Sequence, residues 1–448
     1  DEAHRLPADI DWEHNPGTSH WTCDLNRFSF LGPLTRAYAM TADQRFARKA
    51  VELILDWIEK ADTGRCFAGT PYVYGSYLNN AIHCPAWAAC LRRLLPCGQV
   101  RPAELLRVLK SWHDQLGYLE IATRGHHGNW PTIGCMGMLR TLAAFPVFRD
   151  TDRWADYCSR TLAEQIDDQV LPDGAQYELT PHYHQVVINN LVHAQTALKQ
   201  LGRTLPPRTL DALAKMVRYA QQTITPDGSA RVAFNDSDAH LGRRDLHEDL
   251  RRQLVRADLD HLLTPPTALG PECFAHAGVV VLRQPAVRGD RYLAFDGGPF
   301  GAGHQHEDKL GFWLFACGRN FIVDPGRHLY DWSEKSYRPY LSSTQAHSTV
   351  TVDGCGQHAR GRRERWVARA PLDLEWAVGD NDVRAAAVYD EGYGEDNAID
   401  VSHRREVVFI DNRFWVVFDR IDGTGAHALV SRFQFAPGDL EQQGAGAV

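Results

Sequence analysis

Residues 264–282 read TPPTALGPECFAHAGVVVL, and across them the chain changes its hydrophobic period. Before Thr264-Pro265-Pro266 the apolar residues recur at helical spacing. Phe46, Ala50, Leu53, Ile54, Trp57 and Ile58 form one stripe, with Thr41 and Gln44 ahead of it in the spacing of a capping box. Trp154, Tyr157, Thr161, Leu162 and Ile166 form a second. Val187, Leu191, Ala194, Leu198 and Leu201 form a third, stopped by Gly202 where a helix C-cap favours glycine. Similar stripes fit residues 85–95, 102–119, 133–145, 207–223 and 245–263. From Ala277 onward the pattern is short runs of β-branched and aromatic residues: Gly278–Leu282, Arg291–Phe295 and Ser348–Val352. Arg405–Ile421, REVVFIDNRFWVVFDRI, reads as a hairpin turning at Asp411-Asn412. The expectation is an α+β multidomain chain: an incomplete α/α toroid over 1–268, then an antiparallel β-sandwich over 269–448 that stops inside β-structure.

Composition narrows the class. A chain of 448 residues exceeds one ordinary core. With 44% apolar and 23% charged residues it is neither disordered nor collagenous. No run reaches the roughly 18 apolar residues a membrane helix needs. A net charge of −8 argues against nonspecific nucleic-acid binding, although a local basic cleft can still accept a polyanion. Ten cysteines without a C-x-x-C pair read as reduced, buried thiols. The start at Asp1-Glu2-Ala3 and the end at Gly444–Val448 read as internal to a longer gene. That leaves periplasmic, secreted and cytoplasmic locations open, and the oligomeric state unread.

Chemistry-bearing residues gather in three places. GAGHQHEDKL, residues 301–310, puts His304 and His306 on one face if it is a strand. His306, Asp324 and His347 supply two imidazoles and a carboxylate, a common set for zinc or a similar divalent ion, though Asp324-Pro325-Gly326 is also an ordinary turn. Asp308 and Lys309 read as a surface pair or a loop brace, and His328 and Tyr330 could reach the same cleft. Upstream, Gly128-Asn129-Trp130 after His126-His127 is either a polar loop with a helix N-cap or a carboxamide aimed at a substrate carboxylate. Thr180-Pro181 predicts a helix start, placing Tyr183 and His184 in a first turn that favours negative charge and hence a tyrosine phenolate; a buried, hydrogen-bonded tyrosine is the plainer alternative. His20, Arg338, His358 and the arginines of 360–363 read as solvated surface.

With these residues in place the chain resembles the heparinase II/III-like polysaccharide lyases. The landmarks, in order, are Asp11-Trp12 with His14-Asn15-Pro16, Gly128-Asn129-Trp130, Phe145-Pro146, Gln169–Gly174, and Glu178-Leu179-Thr180-Pro181 before Tyr183-His184. GHQHEDKL, Val323–Gly326, Thr344–His347 and Val352-Asp353-Gly354 follow. The resemblance implies β-elimination on a uronic acid of an acidic polysaccharide or oligosaccharide, a glycosaminoglycan before alginate. It implies Asn129 as neutraliser of the uronate carboxylate, and Tyr183 and His304 as the proton-transfer pair. Where the C5 proton and C4 oxygen are syn, Tyr183 could serve both; where they are anti, His304 would be base and Tyr183 acid. His127, Trp130, Glu178, His184, Tyr330 and Arg338 are the candidates for sugar contact. His306, Asp324 and His347 match a structural site for one divalent metal, zinc or manganese, that braces the His304 loop, and no organic cofactor is implied. Neither nucleic acid nor membrane is an expected partner. Two other classes compete: a glycoside hydrolase using Asp173 and Glu178, and a glycan-binding protein without chemistry.

Overall fold

The computed structural model describes residues 7, 9–14, 19–60, 77–238, 245–284, 291–330, 335–357 and 374–439. Asn15-Pro16, His358, the arginines of 360–363 and residues 444–448 lie outside the described residues, as does the side chain of His20. The chain divides into two compact units: Asp1–Asp167 with Asn190–Thr209, and Asp168–Asn189 with Leu210–Val448.

The first unit is helical: α1 (Ser19–Asn26), α2 (Leu31–Thr41), α3 (Gln44–Lys60), α4 (Tyr77–Leu94), α5 (Pro102–Ala122), α6 (Trp130–Ala144) and most of α7 (Thr151–Gln169). The stripe on α3 is buried as its period requires, with Ala50, Leu53, Ile54 and Trp57 inside. The expected capping box is not formed. Thr41 ends α2, its hydroxyl bonding back to Ala37 O at 2.7 Å, and Asp43 caps α3 through Arg45 N at 2.9 Å. Trp12, Phe28, Trp57 and Trp87 centre the core of this unit. Asn26 joins them by accepting the Trp57 indole N–H at 2.8 Å and donating to Trp12 O at 2.9 Å. Helices α4 and α6 cross closely because α6 has glycine at the crossing. A Cβ on Gly137 would stand 2.1 Å from Ala81 O.

The second unit carries α8 (Pro181–Gln200) as far as Asn189, α9 (Pro207–Gln222) from Leu210 onward, α10 (Leu246–Arg256) and all the described sheets. Five strands form an antiparallel meander: β1 (Glu272–Phe274), β2 (Val279–Arg283), β3 (Tyr292–Asp296), β4 (Phe312–Ala316) and β5 (Arg319–Ile322). A second sheet runs β10-β9-β8-β7, from β7 (Glu375–Val378) and β8 (Asp382–Tyr389) to β9 (Val401–Ile410) and β10 (Phe414–Gly423). β6 (Val350–Val352) pairs with β11 (Leu429–Ser431). Val280, Leu282, Leu293, Phe295 and Phe312 share one core with Val383, Ala385, Val407 and Phe409 of the second sheet. The opposite face, with Val279, Val281, Tyr292, Ala294 and Trp313, packs with Leu171, Tyr177, Tyr219, Val232 and Phe234. Both faces being covered, VVVL is a continuous apolar run rather than an alternating one. β9 alternates strictly, and Ile410 pairs with Phe414 across a turn whose Asp411 and Asn412 take φ of 51° and 54°, a conformation their short polar side chains tolerate. An α/α toroid followed by an antiparallel sandwich is the fold class. Among the described residues no helix is long and apolar enough to cross a membrane.

The α4–α6 crossing makes the first prediction. Gly137→Ala forces a methyl group into the Ala81 carbonyl and costs about 1–3 kcal/mol in chemical denaturation; an unchanged midpoint would mean that the helices do not approach as described.

Candidate active site

GAGHQHEDKL is not a strand. Residues 301–311 form a loop, and β4 starts at Phe312. His304 sits in the left-handed region at φ 56°, so the two histidines do not share a pleated face. The loop is stitched to the segment before α8: Ala302 N donates to Tyr177 O at 3.0 Å, and Gln305 Nε2 to Glu178 O at 2.6 Å. A Cβ on Gly301 would meet Tyr177 O at 2.6 Å, so the close approach requires glycine there.

A tetrapeptide that local spacing did not single out, Asn235-Asp236-Ser237-Asp238, organises what surrounds the loop. Asn235, at φ 58°, donates to Leu179 O at 3.1 Å and accepts from His306 N at 2.8 Å. Asp236 accepts His306 Nε2 at 2.7 Å and takes both terminal nitrogens of Arg338, while its own N–H donates to His304 O at 3.1 Å. The Ser237 hydroxyl accepts from His182 N at 3.2 Å, and its carbonyl accepts from Arg327 N at 2.9 Å. Asp238 lies 3.2 Å from His182 Nδ1 and 2.7 Å from Arg327. Two aspartates two apart after the apolar run Val232–Phe234 were the available signal.

Tyr183, His304 and Tyr330 are held beside this turn. Thr180 and Pro181 start α8 as expected, Thr180 Oγ1 accepting from Tyr183 N at 3.0 Å. The Tyr183 ring stacks on His304 at 3.8 Å between centroids, and its hydroxyl lies 2.5 Å from that of Tyr330. His304 Nδ1 lies 3.1 Å from Glu178 Oε2, a carboxylate that is itself buried. Opposite a carboxylate, Nδ1 carries the proton, leaving Nε2 as the basic nitrogen. The expected phenolate at Tyr183 is not what the surroundings favour. Burial raises its pKa above the ordinary 10.0, and the Tyr330 hydrogen bond and the Arg327 charge offset only part of that. Burial and the Asp236 charge also push Tyr330 up.

His306, Asp324 and His347 come together as expected. They are buried, and one donor atom from each lies within 4.8 Å of the others. His347 Nδ1 is 2.7 Å from Asp324 Oδ2, while His306 Nδ1 and His347 Nε2 are buried with no hydrogen-bond partner among the described residues. Two orphaned imidazole nitrogens beside a carboxylate fit a divalent ion of the zinc type, and Asp236 on the far nitrogen of His306 is the carboxylate that such ligands use for orientation. The group could therefore hold a metal. Burial lowers the His306 pKa. At His347 burial acts in the same sense, but the Asp324 carboxylate prevails and the pKa is raised.

Several candidates for sugar contact are placed otherwise. His184 is buried, Nδ1 accepting from Gln176 N at 3.2 Å and Nε2 reaching Met216 O at 2.9 Å, so it has no face for a ligand; burial pushes its pKa down to about 4. Glu178 faces His304, and Arg338 is buried on Asp236 rather than solvated. Asp308 and Lys309 are no surface pair: Lys309 Nζ is buried between Asp296 at 2.8 Å and Asp308 at 3.2 Å. Asp173 is bonded to Ala175 N and Ala277 N, so its carboxylate serves the backbone. Asn129, His127 and Trp130 belong to the other unit. Asn129 is buried at the N-cap of α6 without a side-chain capping bond, His127 is exposed, and the exposed Trp130 stacks on Tyr77 at 6.4 Å.

Two family models match the chain: heparinase II/III N-terminus over residues 3–254, and heparinase II/III-like, C-terminal, over 267–446. A heparin-sulfate lyase of Pedobacter heparinus is 24% identical over 443 residues, covering 95% of this chain. One of Bacteroides stercoris is 22% identical over 466 residues, covering 96%. The chain spans only 64% and 66% of those two relatives' lengths. A crystal structure of heparinase III superposes with a TM-score of 0.76 at 18% identity, covering 96% of this chain and 67% of that one. With both halves matched in order, the chain belongs to the heparinase II/III family.

Proposed function

We propose that this chain is the catalytic part of a polysaccharide lyase that cleaves a uronate-containing glycosaminoglycan of the heparan sulfate kind by β-elimination. The observation that carries the reading is the stacked pair of a phenol, Tyr183, and an imidazole, His304, oriented by the buried Glu178. The names of the relatives, both heparin-sulfate lyases, support the substrate class. The family-model limits support a toroid over 1–268 and a sandwich over 269–448.

In this mechanism His304 Nε2 takes the C5 proton of the uronate and Tyr183 gives its phenolic proton to the departing C4 oxygen. The C4–O bond breaks, C4=C5 forms, and a proton passing back from His304 to Tyr183 restores the pair. The resemblance would let Tyr183 serve both roles on a syn substrate such as glucuronate, but a phenol whose pKa is raised is a poor base. The base role therefore goes to His304, whose ring is stacked beside Tyr183 and can serve the same face of the sugar. Asn129 is assigned to the uronate carboxylate on the family resemblance, where a carboxamide N–H lowers the cost of the developing dianion. Tyr330 steadies the Tyr183 oxygen, and His127 and Trp130 are assigned to sugar contact. His306, Asp324 and His347 would hold one divalent ion. When bound, that ion supplies a cross-link between the loop that carries His304 and the segments at 324 and 347.

Ultraviolet absorbance of the 4,5-unsaturated uronate, followed on heparan sulfate, heparin, hyaluronan, chondroitin sulfates and alginate, tests the chemistry. Tyr183→Phe should lower kcat by about 10²–10⁴-fold. New reducing ends without that absorbance would indicate a hydrolase, and silence on every polymer a binding protein. The pH profile separates the roles of Tyr183. Its raised pKa keeps the acid protonated, so kcat should stay flat through about pH 10. A rate climbing tenfold per pH unit there would make Tyr183 the base instead.

The metal assignment has its own test. Purified protein should carry about one zinc-type ion per chain by mass spectrometry, and His347→Ala or a chelator should remove it and lower Tm by at least about 4 °C. Metal-free protein whose Tm ignores the chelator would refute the site.

A further inference from the structure

Two guanidinium groups lie over the Tyr330 ring, and they differ in how they are paired. Arg338 Cζ is 4.9 Å from the ring centroid, and this arginine is locked in a two-toothed pair with the buried Asp236. Arg327 Cζ is 5.1 Å from the ring centroid, and this arginine pairs with Asp238 at 2.7 Å. Asp238 is about one-third exposed and also serves His182. Arg338 is thus held two-toothed by a fully buried carboxylate, whereas Arg327 pairs with one that is about one-third exposed, and its charge is the less tied of the two.

We propose that Arg327 is a positioning residue for proton transfer at Tyr183. Held on Asp238 and set against the Tyr330 ring, it keeps the Tyr330 hydroxyl on the Tyr183 oxygen and balances the phenolate formed when Tyr183 gives up its proton. The proposal rests on the reading of Tyr183 as the general acid. The O–H bond of Tyr183 breaks, its proton goes to the C4 oxygen, and the electron pair stays on the phenol oxygen. That oxygen is 2.5 Å from the Tyr330 hydroxyl, a ready donor to it. The groups acting on Tyr183 are His304, Tyr330, His182, Glu178, Asp236 and Arg327. Glu178 and Asp236 oppose a phenolate, Tyr330 and Arg327 favour it, and Arg327 is the one permanent cation among the six. The segment places it without strain of its own: Gly326 takes φ 58° against Ser237 O, where a Cβ would stand 2.1 Å away, and Arg327 N then bonds to that same carbonyl.

The test uses Arg327→Gln, Arg327→Lys and Asp238→Asn, each checked by circular dichroism. Arg327→Gln should lower kcat by about tenfold or more with KM changed less than about twofold, and Arg327→Lys should recover part of the loss. Independently of any substrate, Tyr183 ionisation can be read as the ultraviolet difference between each protein and its Tyr183→Phe counterpart. Arg327→Gln should move that ionisation up by about one pH unit. Asp238→Asn, which leaves the cation but loosens it, should lower kcat less and serves if Arg327→Gln does not fold. Lost activity with an unmoved ionisation, or a change confined to KM, would overturn the proposal. If the unsubstituted chain forms no unsaturated uronate, the lyase reading fails, while the ionisation shift still decides whether Arg327 acts on Tyr183.

Discussion

The turn Asn235-Asp236-Ser237-Asp238 is the constraint on which the rest of the site depends. Four consecutive residues bond to the His304 loop, to the start of α8, to the Asp324–Arg327 segment and to Arg338. Asp236 is the most committed of them, because burial alone would raise its pKa and only His306 and Arg338 hold it well below the carboxylate range. A buried carboxylate with two charge-assisted partners tolerates the loss of neither, since the remaining group would be left desolvated and unmatched. The turn thereby joins the buried His306, Asp324 and His347 group to His304 and to the start of the Tyr183 helix through covalently adjacent residues.

The backbone around the site is held in conformations that ordinary residues avoid. Leu179, Asn235, His304 and Leu310 all have φ between 52° and 66°. Such positions persist only where several contacts fix them at once. His304 has that: its carbonyl accepts from Asp236 N, and its ring is fixed between Glu178 and Tyr183. Arg405 reaches the same region from the second sheet. Buried and paired with Asp419, it donates to Leu310 O at 2.9 Å and to Ser348 O, which joins the ends of the His306 and His347 segments.

Much of the fold was legible because periodicity is a local property. The helical stripes, the change of period after Thr264, and the 405–421 hairpin with its Asp411-Asn412 turn each follow from a few neighbouring residues. Thr41 misled because Asp43, two residues on, is the better cap. Residues 301–310 misled because two histidines two apart mimic a strand face, whereas glycine-rich backbone drawn against Tyr177 and Glu178 makes a loop. That His306, Asp324 and His347 come together was recoverable from residue type together with family order. Asn235, Asp236, Asp238 and Arg327 were not, since nothing in their local spacing announces what they bond across 56 to 102 residues of sequence.

By itself the sequence determined the two architectures, their order, the start of the Tyr183 helix and the inventory of acids, bases and ligands, all of them set by near neighbours and side-chain chemistry. Tertiary structure decided which members of that inventory face a partner. It buried His184 on backbone atoms, turned Glu178 onto His304, sank Arg338 onto Asp236 and buried Tyr183 so that its pKa is raised. Those outcomes depend on burial and on the charges that distant segments bring within a few ångströms, and neither is written in local order.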